Sequence, residues 1–341
     1  MKNKKLWFFV LVMALVVFVS SYRLDAYISR PGDAYELSPL VEVDGRDEDD
    51  AGTLSLMTVT MFNATPALYI MAQFQEGYKV LDPEQVRSPH ESDEEYNVRQ
   101  LKLMSDSQVN ALQVAFEEAG KPYEVSSNGV FILNVLEDGA AAGLLSPGDR
   151  LMEIDGQAYD SMEEFLDYLS TKEVGDEVEL VIERDERTIN QTVTLAPLPT
   201  EPERAGIGIS FVEDKEIETT PDVSIDSDTI GGPSAGLMFT LEILNQLLDE
   251  DITKGYDIAG TGTMESDGTV GRIGGIDQKV MAADRAGIDI FFAPDDETDS
   301  ELPSNFDQAL ETAEEIGTGM DIVPVTDIDA ALDYLAELSP M

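Results

Sequence analysis

The chain has 341 residues, room for two or three domains, and 43% of them are hydrophobic, enough to pack cores. Asp and Glu number 69 against 21 Lys and Arg, a formal charge of −48 that opposes binding to nucleic acid or to an anionic membrane surface. With no cysteine and one histidine, the chain excludes Cys nucleophiles, Cys-containing zinc sites, His-rich metal sites and a lipid-modified cysteine. The acids are spread over the sequence, which reads as a solvated acidic coat; attraction of cationic peptides is the sharper alternative. At the N-terminus, Lys2, Lys4 and Lys5 precede the apolar run Leu6–Val19. With Ser20, Ser21 and Tyr22 this reaches the ~20 residues that a spanning helix needs. Three lysines before it and Arg23 after it place the N-terminus inside and the body outside. A cleaved signal peptide is the rival reading, although Val19-Ser20-Ser21 departs from the Ala-x-Ala pattern. Next, Asp47–Asp50 reads as an acidic turn, Leu54–Met61 as an alternating strand rich in β-formers, and Pro66–Phe74 as a helix. His90 lies in a polar, acidic stretch and reads as a solvated surface residue. Met104–Ala119 is an amphipathic helix with Val109, Leu112, Val114, Ala115 and Ala119 as its apolar residues.

Residues 121–196 form an ordered set. Gly129–Val135 reads as a strand and Gly139–Leu145 as a short helix. Pro147-Gly148-Asp149-Arg150-Leu151 then turns into a strand ending at Ile154-Asp155-Gly156. Met162–Leu169 is a second helix, and Glu177–Arg184 with Thr188–Leu195 a hairpin around Asp185. The set resembles a PDZ domain. That resemblance implies a groove that captures an extended peptide by strand addition. Phe165 and Leu169 would lie near the groove, and the carboxylate-capturing loop near Tyr123-Glu124-Val125. For most apolar positions of the set, simple core is the commoner role. A proline-rich linker follows, Pro197-Leu198-Pro199-Thr200-Glu201-Pro202-Glu203.

Beyond it, Ile230-Gly231-Gly232-Pro233-Ser234-Ala235-Gly236 leads into Leu237–Leu244, an apolar run that reads as a buried helix. A serine at that helix start lies among unpaired backbone N–H groups and the positive end of the dipole. From this stretch alone, N-capping is the commoner role; stabilisation of an oxyanion beside a nucleophilic serine is the other. A nucleophile needs a base, and His90 has no sign of burial beside Ser234. The remaining common base is a lysine made neutral by desolvation. Lys279 stands out, following Ile273-Gly274-Gly275 on a helix that runs to about Ala286 and stops at Gly287. A surface helix lysine is the bland alternative.

Gly232-Pro233-Ser234-Ala235-Gly236, with Lys279 45 positions after Ser234, resembles the proteolytic domain of Lon-type serine peptidases over about residues 205–338. Gly260-Thr261-Gly262-Thr263-Met264, Ala282–Ile288 and Phe291–Pro294 extend the match. The resemblance implies a Ser234–Lys279 dyad, with Thr261 orienting the lysine. Gly231 stands where many members carry an acidic residue. Arg30-Pro31-Gly32, Glu91–Asn97, Arg99–Leu101 and Met104–Gln108 extend the likeness to the membrane-anchored PDZ–Lon-type peptidases of Gram-positive bacteria. The chain contains no Gly-x-x-x-x-Gly-Lys-Ser/Thr motif, so no ATPase motor is read in it.

The expected architecture is α+β: a membrane anchor at 1–23, an extracytoplasmic region at 24–120 and a PDZ domain at 121–196. A linker at 197–204 and a Lon-type peptidase domain at 205–341 complete it. The expected function is an ATP-independent, membrane-anchored serine endopeptidase facing outward, without cofactor or metal. Its partners would be peptides or unfolded protein segments, and a homo-oligomer is left open. The oxyanion hole would draw on Ser234, Gly231 and Gly232. The alternative is a catalytically inert PDZ scaffold that binds peptide tails.

Overall fold

A computed structural model describes residues 2–46, 51–87, 91–159, 161–198, 202, 204–227, 230–296 and 303–341. His90 and Asp47–Asp50 lie outside these residues. The chain divides into two compact units. One joins Met1–Glu42 and Arg46–Pro89 to Ser234–Met341; the other holds Val43–Gly45 and His90–Pro233.

The first unit begins with α1 (Lys2–Ser21). Its stretch Lys4–Ser21 has a mean hydropathy of 1.9 and none of it is buried. By length and composition it qualifies as a membrane span, and a signal sequence meets the same test. Then come β1 (Tyr27–Glu36), β2 (Thr53–Asn63), α2 (Pro66–Ala72) and β3 (Lys79–Leu81). Thr65 caps α2 by accepting a hydrogen bond from the Leu68 amide, and Pro66 occupies the first turn, where its missing N–H is harmless.

The second unit opens with α3 (Asp93–Glu118). This helix is three turns longer than the apolar pattern from Met104 suggests. Its start is a capping box in which Ser92 accepts from the Glu95 amide and Glu95 accepts from the Ser92 amide. Five antiparallel strands follow: β4 (Tyr123–Val135), β5 (Arg150–Ile154), β6 (Glu177–Arg184), β7 (Arg187–Thr194) and β8 (Ile209–Thr219), with α4 (Met162–Ser170) after β5. Their order in the sheet is β8-β4-β5-β6-β7. The expected helix at Gly139–Leu145 is instead a run of turns broken by Gly143, whose φ is 74°. The linker prediction also shifts. Ala196–Pro197 pairs with Ala205–Gly206, Ala205 and Ile207 pack into the core of this unit, and β8 lies along β4. Residues 205–219 therefore pack within the second compact unit. Buried Lys102 of α3 ties the helix to this sheet through Asp214 of β8 at 2.6 Å, while Arg150 reaches the other Asp214 oxygen.

The chain then returns to the first unit with α5 (Gly236–Leu247), β9 (Asp257–Gly260), α6 (Ile276–Ala286), β10 (Ile290–Pro294), α7 (Asn305–Ile316), β11 (Asp321–Val325) and α8 (Ile328–Glu337). The six-stranded sheet of this unit runs β11-β10-β9-β2-β1-β3. β9 pairs in parallel with β10 on one side and with β2 on the other. Leu54, Ser55, Leu56 and Met57 of β2 are buried in succession, as a strand covered on both faces must be. The expected partition is corrected here. Residues 27–81 are not a separate region before a C-terminal peptidase. They supply three strands of the sheet that carries α5 and α6, and the PDZ-like unit is inserted between the two halves.

Candidate active site

Three side chains from three segments of the first unit meet behind the C-terminal end of β9. Ser234 lies in the turn before α5. The N-cap position of α5 falls to Ala235, without a side-chain cap. The capping role that the local sequence favours is thus not what Ser234 does; its hydroxyl is used elsewhere. Thr261 follows the last residue of β9, with its amide donating to the Phe292 carbonyl at 3.1 Å. Lys279 sits one turn into α6. That helix starts at Gly275, which has a φ of 69°, and a Cβ there would meet Val59 Cγ2 at 2.9 Å. A left-handed residue packed this closely against β2 calls for glycine.

Lys279 Nζ lies 2.6 Å from Ser234 Oγ and 2.7 Å from Thr261 Oγ1. The Thr261 hydroxyl donates to the Ser234 carbonyl at 2.9 Å, and the Gly262 amide donates to the same carbonyl at 3.0 Å. The residue carrying the hydroxyl is therefore fixed from behind while the lysine approaches from the side. Lys279 is 3% exposed, beside the apolar cluster of Ile276, Val280, Ala283, Phe291 and Met57. Burial pushes its ammonium down to about 7, because the charged form loses its hydration. Asp277 in the same helix is engaged by Lys79 at 2.8 Å.

Other sequence-predicted residues fall differently. The Gly232 amide, expected in the oxyanion hole, donates to the Gln100 carbonyl at 2.9 Å and is committed in this conformation. Gly231 is exposed. Tyr123, Glu124 and Val125, expected in a carboxylate-binding loop, are strand residues paired with Thr219, Glu218 and Ile217. Phe165 and Leu169 are 1% and 8% exposed, within the core of the inserted unit. Phe165 also borders a cleft with Gly129, Leu151, Ile154 and Tyr159. Among the described residues, no three His, Cys, Asp or Glu side chains gather as metal ligands. Sequence reasoning missed Gln278, whose amide donates to Ser29 Oγ at 3.1 Å and to the Gly77 carbonyl at 2.7 Å. It clamps α6 to the N-terminal strands, and no local pattern marks it.

Residues 111–195 match the family model described as PDZ domain, and residues 192–336 match that of the Lon protease (S16) C-terminal proteolytic domain. The chain carries a PDZ domain and a Lon-type proteolytic domain. The Lon protease of Xanthomonas oryzae pv. oryzae is 30% identical over 149 residues, which is 43% of this chain and 16% of that protein. That of Acinetobacter baumannii is 32% identical over 123 residues, 35% of this chain and 15% of that protein. The chain thus spans less than a fifth of the length of these relatives. A solved PDZ domain of the SdrC-like protein from Listeria monocytogenes is 36% identical, covering 26% of this chain and 93% of that one, with a TM-score of 0.25. The matched Lon-type stretch does not include the segment 27–81, which the fold adds to its sheet.

The buried lysine has a consequence for stability. Its folded value of about 7 lies below the ordinary 10.5. Between the two, the unfolded chain holds a proton that the folded protein does not, so stability rises with pH across that window. The penalty is full below pH 7, about 5 kcal/mol, and gone above the unfolded value. Lys279→Met removes it while leaving two hydroxyls without their amine, a smaller loss. At pH 7 the variant is expected to be more stable than the parent by about 2 kcal/mol, with the advantage shrinking toward pH 10. Urea unfolding of residues 24–341 at both pH values checks this. A variant less stable at pH 7 by a pH-independent margin contradicts it.

Proposed function

We propose that this protein is a serine endopeptidase that works without ATP, is anchored by α1 and faces outward. The reading rests chiefly on one observation: the 2.6 Å approach of Lys279 Nζ to Ser234 Oγ by a lysine buried among apolar groups. In its neutral form Lys279 accepts the Ser234 hydroxyl proton as Oγ bonds to the scissile carbonyl carbon. The carbonyl oxygen becomes an oxyanion beside the Ser234 amide and the positive end of α5. As the intermediate collapses, the C–N bond breaks and the leaving amine takes the proton from Lys279. Water then attacks the acyl-Ser234 ester, with Lys279 accepting its proton and returning it to Oγ. Thr261 keeps the amine aimed at Ser234 throughout. Unfolded segments and exposed loops are the expected substrates.

The deciding experiment is turnover of casein by residues 24–341, with Ser234→Ala as control. Binding without turnover would leave a PDZ scaffold. The lysine also sets the pH dependence. Only the neutral amine accepts the proton, so kcat/KM is expected to rise with pH through a midpoint near 7, the value burial gives Lys279. A flat profile from pH 6 to 9 with chemistry rate-limiting, about one to two units either side of that midpoint, contradicts the mechanism.

The PDZ unit would recruit substrate through its cleft and raise its effective concentration near the peptidase. Supplied separately as a fragment of residues 91–227, it should slow processing of a protein substrate while sparing a short peptide. Equal rates for both substrates remove the recruiting role.

A further inference from the structure

We propose that α2 and the turn after it dock onto the lipid bilayer, beside the point where α1 leaves it. The proposal rests on the reading of α1 as an uncleaved anchor. Helix α2 is amphipathic in an inverted sense. Leu68 and Ala72, one turn apart, face inward and pack with Ile28, Ala64 and Val80. The opposite stripe of Ala67, Ile70, Met71 and Phe74 has the i, i+3, i+4, i+7 spacing of a single face, and all four are exposed. Ile70 is 60% and Phe74 85% exposed, with Tyr69 beside them at 41%. A soluble protein gains nothing by holding such a stripe in water, and a contiguous apolar patch of this kind marks an interaction surface.

Charge and tether length identify the occupant. The chain has 69 acidic residues, yet no residue from Ala51 to Gln75 is charged. A surface that must lie against lipid has to shed that coat, because charge is expensive to bring toward hydrocarbon. Only residues 22–26 separate α1 from β1, a reach of at most about 20 Å. Much of that slack is taken up: the Leu24 amide donates to the Ala64 carbonyl at 2.8 Å, and the Ala64 amide to the Ala26 carbonyl at 2.9 Å. Thr65, the cap of α2, is therefore pinned next to the emergence point, and α1 and α2 are in contact. Helix α1, about 30 Å long, matches the hydrocarbon thickness. Tyr22 at its end, stacked on Phe18, and Tyr69 on α2 are residues of the type that sits at headgroup level. The stripe would enter the boundary between headgroups and acyl chains, as interfacial helices do. This holds the peptidase unit against the membrane instead of leaving it to swing.

The single tryptophan, Trp7 in α1, makes both readings measurable. The full chain is reconstituted into phosphatidylcholine vesicles with and without lipid brominated at a shallow chain position. In the parent, quenching of Trp7 reports on the anchor. In Trp7→Phe/Phe74→Trp the indole reports on the patch, and Trp7→Phe/Leu310→Trp, on an exposed face of α7, serves as the water control. The expected result is blue-shifted emission and about a twofold loss of intensity at position 74, with position 310 unchanged. Quenching at Trp7 but not at 74 overturns the proposal and leaves the anchor standing. No quenching at either position overturns both. Position 74 blue-shifted without bromine quenching, and dependent on protein density, overturns the proposal in favour of a second copy of the chain.

Discussion

Ser234→Ala and Lys279→Ala are each expected to lower kcat/KM of residues 24–341 by about 10⁴-fold or more, with the double variant no worse than either single. The argument is that the two side chains act as one unit. Without the hydroxyl there is no nucleophile, and a neutral amine has nothing to deprotonate. Without the amine, Ser234 keeps its proton, and a serine hydroxyl at neutral pH is a poor nucleophile. The residual rate reflects binding and the oxyanion-stabilising amides that remain. Neither residue holds the fold together. Ser234 is half-buried with its backbone retained by Thr261 and Gly262, and removing the buried amine relieves a desolvation penalty. Both variants should therefore keep the parent's far-ultraviolet circular dichroism and cooperative unfolding. Steady-state kinetics on a dye-released peptide reads the effect. A Lys279→Ala protein that retains a tenth or more of the parent's kcat/KM, about 1.4 kcal/mol or less of lost transition-state stabilisation, removes the lysine from the chemistry.

The candidate site was legible in the sequence because its logic is one of scarcity. A chain with one histidine and no cysteine leaves few bases for Ser234, and glycines stand at the start of both helices that carry the site. Gly275 and Gly287, the caps of α6, stood in the sequence as its start and stop. Thr261 came only through resemblance, since nothing about a threonine after a four-residue strand marks it. The oxyanion geometry was not legible. Whether the Gly232 amide faces outward or donates to Gln100 depends on a long-range contact. The same reason explains why the N-terminal strands were not assigned to this sheet. β9 is short and its partners Thr53–Leu56 lie some two hundred residues earlier, across an inserted domain, while hydrophobic pattern fixes which face of a strand is buried and not which strand lies beside it. A proline-rich stretch at 197–204 suggested a boundary, but Ala205 and Ile207 continue the inserted core beyond it.

The second large effect follows from that interleaving. A fragment of residues 205–341, the peptidase that sequence alone would delimit, is expected to lack cooperative folding and activity, whereas residues 24–341 should have both. Removing residues 24–89 strips β9 of its parallel neighbour and turns Asp257–Gly260 into an edge. Buried Leu54, Leu56 and Met57 go with it, each contributing about 1.5–3 kcal/mol of burial. Gln278 loses Ser29 Oγ and the Gly77 carbonyl, Asp277 loses Lys79, and Gln246 loses the Val41 carbonyl. The Arg46 guanidinium no longer caps the end of α5 through the Gln246 and Leu248 carbonyls. Against a total domain stability of about 5–15 kcal/mol, the lost burial alone removes most of the margin, and the orphaned buried amide of Gln278 adds to the deficit. Lys279 would be affected first, because α6 packs over β1 and β2 and loses the surface that keeps its amine dry. Supplying residues 24–89 as a separate peptide should restore part of the helical signal and of the peptidase rate. Thermal melts followed by circular dichroism, paired with peptide hydrolysis, make the comparison. If 205–341 melts cooperatively and cleaves at the parent's rate, the N-terminal strands are a dispensable addition to the sheet and the interleaved domain is wrong.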